Sequence, residues 1–326
     1  MKIIFLGTPT FAVPSLEKLI EHALVPVAVV SQPDRETDRK GRLKPTPVKA
    51  AAEAHGIQVL QFDNINKYTQ ALEQLKPDLM ITAAYGQILS EEFLRIAPVF
   101  NVHASLLPAY RGSSPIQAAI LNGDKKAGVT IMKTVRAMDA GDCILQEGIE
   151  LGAQETYGEL HDRLSLLGAN LIVQAVKDFA LAKTVYTPQD ANLVTFTKKI
   201  IKADGRIDWQ ESATTLMRKV RALNPWPTAY TYSADVGGDI KIYTAKSYSA
   251  EEFKQKLGSM SHIDCKNAPN SAGTVLCADE KQGLFVQTGK GVLELLSLQS
   301  PGKRVLSAQD FLRGCKEIRS GSVLGS

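Results

Sequence analysis

The chain has 326 residues, 44% hydrophobic and 22% charged, with 38 Lys+Arg against 34 Asp+Glu for a formal charge of +4. Such a balance suits a globular chain with one large core and one smaller one. No run of about 18 apolar residues occurs, so no membrane-spanning helix is expected. Four cysteines, Cys143, Cys265, Cys277 and Cys315, show neither metal-ligand spacing nor a dense disulfide pattern. No metal and a reducing cytoplasmic setting are the expectation.

In chain order, the opening run Met1–Gly7 is short and leads into Thr8-Pro9, which suits a buried first strand better than a leader. Strands are expected at Lys2–Leu6, Val25–Val30, Gln58–Gln61, Asp78–Ala83, Val99–His103, Gly128–Thr134 and Ile144–Glu150. Helical patterns fall between the early ones, over Phe11–His22, Pro47–His55 and Tyr68–Leu75, and a long one runs from Thr156 to Leu181. Alternation of this length predicts an α/β fold: an open, mostly parallel, Rossmann-like sheet with helices on both faces, covering residues 1–182. Ligands of such sheets bind beyond the carboxyl ends of the strands.

Residues 183–204 lack a sustained apolar period and read as a linker. Beyond them Ile240–Tyr243, Gly273–Ala278, Leu284–Thr288 and Val292–Leu298 are short, β-rich and separated by glycine-containing turns. They predict a small OB-like β-barrel in a domain over 205–326. Ser247–Ala272 is polar and reads as an irregular surface insertion. Trp209 and Trp226, set among apolar residues, read as core. The 205–326 domain holds sixteen Lys/Arg against twelve Asp/Glu, and Gln32–Lys49 holds six basic against three acidic residues. Two basic surfaces fit a polyanionic partner, although a solvated charged face has the same composition.

The densest chemistry lies in Asn101-Val102-His103-Ala104-Ser105-Leu106-Leu107-Pro108. On a strand, Asn101 and His103 point to the same side. An amide can donate to a developing oxyanion, and an imidazole can carry protons near neutral pH. A carboxylate beside the ring could come from Asp139 or Asp142 in Met138-Asp139-Ala140-Gly141-Asp142, where either could equally be a turn former. There is no G-x-G-x-x-G, no P-loop, no G-x-S-x-G elbow and no His-rich metal motif. An Asn, a His and a carboxylate without a nucleophile suggest direct transfer between two bound substrates.

Asn101-Val102-His103, Ser105-Leu106-Leu107-Pro108, Tyr110-Arg111-Gly112 and Pro115, with Asp139 in a D-x-G loop, resemble the signature of the folate-dependent formyltransferases. The resemblance runs almost end to end. It takes in Gly7-Thr8-Pro9, Gln32-Pro33-Asp34-Arg35, Pro45-Thr46-Pro47-Val48-Lys49, Arg206-Ile207-Asp208-Trp209 and Arg221-Ala222-Leu223-Asn224-Pro225-Trp226-Pro227. It implies Asn101, His103 and Asp139 as the catalytic residues, with Asn101 and a protonated His103 donating to the oxyanion. It implies that Ser105, Leu106, Leu107 and Pro108 lie against 10-formyltetrahydrofolate as cosubstrate, with Tyr85, Gly86, Gln87 and Ile88 walling the pocket.

The branch most similar to this chain formylates the α-amino group of methionine on initiator methionyl-tRNA for translation initiation. By that resemblance Arg39, Lys40, Arg42 and Lys44 would contact tRNA and the protein would act as a monomer. Ala104 stands where glycine is common in the family, and Glu36 and Asp38 lower the charge of the basic loop.

Overall fold

Seven strands form the sheet that carries the first part of the chain. They are β1 (Ile3–Gly7), β2 (Ala28–Ser31), β3 (Val59–Gln61), β4 (Leu79–Ala83), β5 (Val99–His103), β6 (Lys126–Lys133) and β7 (Cys143–Glu150), in the spatial order β7-β6-β5-β4-β1-β2-β3. Helices α1 (Val13–Glu21), α2 (Pro47–Ala54), α3 (Thr69–Glu73) and α4 (Glu91–Leu94) join the first five strands, and α5 (Pro115–Asn122) lies between β5 and β6 in sequence. The computed structural model describes residues 1–36, 43–258 and 271–325. It divides into two units, one of Met1–Ile116, Lys125–Leu151 and Glu159–Lys198, the other of Gln117–Asp124, Gly152–Gly158 and Lys199–Ser326. Pairings among β1 to β5 are parallel, whereas β6 and β7 run antiparallel to their neighbours. The expected mostly parallel sheet is present. Its central strands β1 and β4 are buried at every residue, as strands covered on both faces are.

The pleat of β5 decides what reaches the site. Phe100 and Val102 turn towards helix α6 (Tyr157–Ala180): Phe100 meets Phe179 edge to face at 5.5 Å, and a Cβ on Gly168 would come within 2.6 Å of Val102. Glycine at 168 is therefore what lets the helix approach the strand. Val99, Asn101 and His103 share the opposite face. Val99 joins a core with Ile4, Leu6, Met80 and Phe93, while the two polar residues continue the same face at the carboxyl end. Burying each large apolar side chain is worth about 1.5–3 kcal/mol, and that burial fixes which way the strand faces.

The second unit is built on antiparallel strands β8 (Ala229–Ser233), β9 (Gly238–Tyr248), β10 (Val275–Asp279), β11 (Gly283–Gln287) and β12 (Val292–Gln299), ordered β8-β9-β12-β11-β10. Its two edges meet through the C-terminal segment. Val275 donates to the Ser322 carbonyl and Leu324 to that of Gly273 on one side, while Gly325 donates to the Tyr232 carbonyl on the other. This segment satisfies edge groups that would otherwise be left open, and it closes the sheet into a barrel. Leu216 and Val220 of α7 (Ala213–Ala222) join its core beside Trp209. So do Phe311 and Leu312 of a later helix, Ala308–Gly314.

Several expectations for this region change. Neither β8 nor the helices Ala213–Ala222 and Ala308–Gly314 are among the elements expected from periodicity. Trp226 is 54% exposed and is not core. The polar insertion starts within the end of β9 and continues as a helix, α8 (Ala250–Gly258), held by Phe253 against Tyr248 and Phe285 and by a Lys256 hydrogen bond to Glu294. One anchoring phenylalanine leaves little periodicity for a sequence pattern to reveal. The segment read as a linker is divided between the units: up to Lys198 it belongs to the first. Among the described residues no helix is long and apolar enough to cross a membrane.

Candidate active site

Asn101 and His103 lie at the carboxyl end of β5, beside the end of β4, where an open sheet presents its ligands. Asn101 is half-buried. Its Oδ1 accepts from the Thr82 hydroxyl at 2.9 Å, which leaves the two Nδ2 hydrogens without a protein partner among the described residues. His103 is buried, with Nε2 3.0 Å from the Tyr110 carbonyl oxygen and Nδ1 3.7 Å from Oδ1 of Asp139. A carbonyl can only accept, so Nε2 carries the hydrogen in that bond. Both ring nitrogens therefore face protein groups. Nδ1 lies near the carboxylate but beyond hydrogen-bonding distance of it.

Asp139 reaches His103 by an indirect route. Because β6 is antiparallel to β5, the chain leaves it beside Val99, at the end of β5 away from His103; the Thr134 N–H donates to the Val99 carbonyl. The long loop that follows brings Asp139 back to the ring. Asp139 sits at φ +47°, a left-handed conformation that costs a non-glycine residue energy. Its Oδ2 accepts the Gly112 N–H at 2.8 Å. Asp142 is used otherwise: its backbone carbonyl accepts from the Lys133 N–H.

The Ser105–Pro108 turn is tied to β6 and β7. Thr130 donates its hydroxyl to the Ser105 carbonyl and accepts from the Leu107 N–H, while Gln146 donates to both the Leu107 carbonyl and the Thr130 hydroxyl. Ser105 itself donates to the Ala109 carbonyl at 2.6 Å. Ser105 and Leu107 are buried, whereas Leu106 and Pro108 are half-buried. Leu106 lies over Gly128 and Gly148, where a Cβ would meet it.

In the second stretch, Tyr85 turns into the core and its hydroxyl is buried without a hydrogen-bond partner among the described residues; burial pushes this phenol well above its ordinary range. Gln87 accepts from the Ile65 N–H and donates to the Phe62 and Asp63 carbonyls, so it braces the structure. Gly86 is exposed at φ +87°, and Ile88 is 80% exposed.

Of the basic-loop residues, Lys44 is exposed in a two-residue strand paired with Arg35–Glu36. Arg39, Lys40 and Arg42 lie outside the described residues. The base of the loop is clamped at Asp34, which takes hydrogen bonds from Lys49 at 2.6 Å and Gln61 at 2.7 Å. Sequence reasoning missed Thr82, Gln189 and Thr195. The carbonyl of Thr195 accepts from the Arg111 N–H at 2.9 Å, and its hydroxyl accepts from the Tyr110 N–H at 2.8 Å. Nothing in local sequence pattern marks these three.

Residues 1–176 match the family model described as formyl transferase, and residues 199–316 match the one described as formyl transferase, C-terminal domain. A relative from Halalkalibacterium halodurans named methionyl-tRNA formyltransferase is 40% identical, covering 100% of this chain and 98% of its own. Among solved structures, an N-formyltransferase from Helicobacter canadensis in complex with folinic acid and dTDP-3-aminofucose superposes with TM-score 0.64. It is 17% identical, covering 90% of this chain and 98% of that one. HypX from Aquifex aeolicus in complex with tetrahydrofolic acid gives TM-score 0.60 at 18% identity, covering 96% of this chain and 47% of HypX. This chain thus spans about half the length of HypX. The last two likenesses speak for the fold alone.

Proposed function

The chain belongs to the formyl transferase family and, within it, to the methionyl-tRNA formyltransferases, and from that premise we propose that Asn101, His103 and Asp139 are its catalytic centre. It moves a formyl group to the amino group of methionine on tRNA. The observation that carries the assignment of residues is the meeting of His103 with Asp139, beside an Asn101 amide whose N–H groups are uncommitted among the described residues.

10-Formyltetrahydrofolate, when bound, supplies the electrophilic formyl carbon on a nitrogen leaving group. The residues present fit such a molecule. Ile88 offers an exposed apolar surface and Gly86 a close backbone approach. Leu106 and Pro108, both half-buried, offer further apolar surface. Tyr85 anchors its stretch in the core and Gln87 braces it, while Ser105 and Leu107 shape the loop.

Transfer makes a carbon–nitrogen bond to the methionine amine and breaks the one to the donor nitrogen, with a tetrahedral oxyanion between. Asn101 donates Nδ2–H to that oxygen; such a donor is typically worth about 3–4 kcal/mol of barrier. The amine sheds one proton and the leaving nitrogen gains one. Asp139 and Nδ1 of His103 together hold that proton in the interval, with the Tyr110 carbonyl fixing the ring. Asn101 therefore acts on charge and the His103–Asp139 pair on the proton.

Arg39, Lys40, Arg42 and Lys44, with the basic second unit, bind the initiator tRNA, and the protein works as a monomer in the cytoplasm. The deciding experiment supplies 10-formyltetrahydrofolate and methionine-charged initiator tRNA to the purified chain. Formylmethionine on the tRNA is the expected product. Free formate without formylmethionine would overturn the reading in favour of a hydrolase.

A further inference from the structure

We infer that Gln189 is a positioning residue for catalysis, acting through Asp139, an inference that rests on the catalytic reading of Asp139 above. Its carboxamide uses its full hydrogen-bonding capacity in one place. Nε2 donates to the backbone carbonyls of Asp139 at 2.8 Å and Gly141 at 2.7 Å, while Oε1 accepts from Arg111 Nε at 3.1 Å and Nη2 at 2.8 Å.

The geometry explains why a clamp is needed. Asp139 stands in a left-handed conformation on a loop that starts at the far end of β5, so nothing in the strand register places it. Its carboxylate is held by the N–H of Gly112, the residue after Arg111. The Gln189 amide locks the backbone of the Asp139 loop to the Arg111 side chain. The group that bears the carboxylate and the group that orients it are thus fixed to each other through one side chain.

Gln189 is itself stationed from outside the loop. Two residues before it, Thr187 exchanges backbone hydrogen bonds with Cys143 at the start of β7, at 2.8 and 2.9 Å. Further on, Phe196–Thr197 pairs in parallel with Arg111–Gly112. A neutral amide is the side chain this place requires. Two donors must meet two carbonyls and an acceptor must meet a guanidinium, a pattern that glutamate cannot reproduce because it has no donor when ionised.

The test compares purified full-length Gln189→Met, Asp139→Asn and the double variant in the formylation assay. A misplacement of about 1 Å at a catalytic group can cost on the order of a hundredfold. Gln189→Met is expected to lower kcat about tenfold to a hundredfold, to leave KM for both substrates nearly unchanged, and to add no further loss in the Asp139→Asn background. Gln189→Glu, which keeps the size of the side chain and its acceptor, is expected to lose kcat likewise and decides the matter should the Met variant fail to fold.

Wild-type kcat in Gln189→Met, or a full multiplicative loss on top of Asp139→Asn, overturns the inference. An inactive Asp139→Asn beside a fully active Gln189→Met sinks this inference alone. A fully active Asp139→Asn sinks the catalytic reading and this inference with it.

Discussion

Thr82 and Asn101 are register partners across β4 and β5, and the Thr82 hydroxyl donates to Oδ1 of Asn101 at 2.9 Å. The bond fixes which end of the amide is acceptor and which remains donor. Replacing Thr82 by valine keeps the shape of a residue that is only 6% exposed and removes that instruction. Thr82→Val is expected to lower kcat about tenfold while changing stability by about 1–2 kcal/mol. Asn101→Ala should lose about a hundredfold or more in kcat. Steady-state kinetics with chemical melts on the same preparations separate the two effects; equal kcat for Thr82→Val and wild type would show that Thr82 does not aim the amide.

Gly141 tests the loop that carries Asp139. A Cβ there would collide with the Lys133 carbonyl, so the backbone must shift. Gly141→Ala is expected to lower kcat by on the order of a hundredfold and to lower the melting temperature. Met138, 60% exposed beside the same aspartate, provides the control: Met138→Ala should stay within about 0.5 kcal/mol of the parent in stability. Unchanged turnover in Gly141→Ala would show that the loop tolerates displacement.

Binding through phosphates weakens with salt in proportion to the charges neutralised. Arg39→Ala, Lys40→Ala, Arg42→Ala and Lys44→Ala combined should raise KM for tRNA and flatten its salt dependence, by about one unit of slope for each phosphate no longer neutralised. The KM for the formyl donor should not follow. An unaltered salt slope for the combined variant would place the tRNA-binding surface elsewhere.

Asp34 links loop placement to pH. Burial pushes its carboxyl up, but hydrogen bonds from Lys49 and Gln61, the Lys49 charge and the Thr46 N–H outweigh it and hold the carboxyl below its ordinary 3.8. A depressed folded-state value stabilises the protein above the unfolded value and ceases to do so as pH falls through the folded one. Wild type should therefore exceed Asp34→Asn in stability at neutral pH, with the gap closing below about pH 4. Denaturant melts across that range measure it, and a gap independent of pH would contradict the assignment.

The order of strands in the first unit was legible because its central strands carry short, mainly apolar runs, as in Ile3–Gly7 and Leu79–Ala83, whereas helices α4 and α5 were not among the expected elements. The pairing of Asn101 with His103 on one face was legible for the same local reason. Helix α8 was not, because a single phenylalanine anchors it. Trp226 reads as core in the sequence yet is exposed, because its apolar neighbours along the chain do not surround it in space.

What sequence alone determined here is periodicity and residue type: a two-residue alternation that sets faces, and an amide, an imidazole and candidate carboxylates in recognisable order. Tertiary structure alone brought the Asp139 carboxylate to 3.7 Å from His103, turned Nε2 of that ring to the Tyr110 carbonyl, aimed the Asn101 amide through Thr82 and brought Gln189 onto the loop. Those choices rest on hydrogen bonds between residues distant along the chain, such as the 2.8 Å bond from Gly112 to Asp139. Such bonds have short reach and strict direction, so they exist only once packing has set the backbones in place.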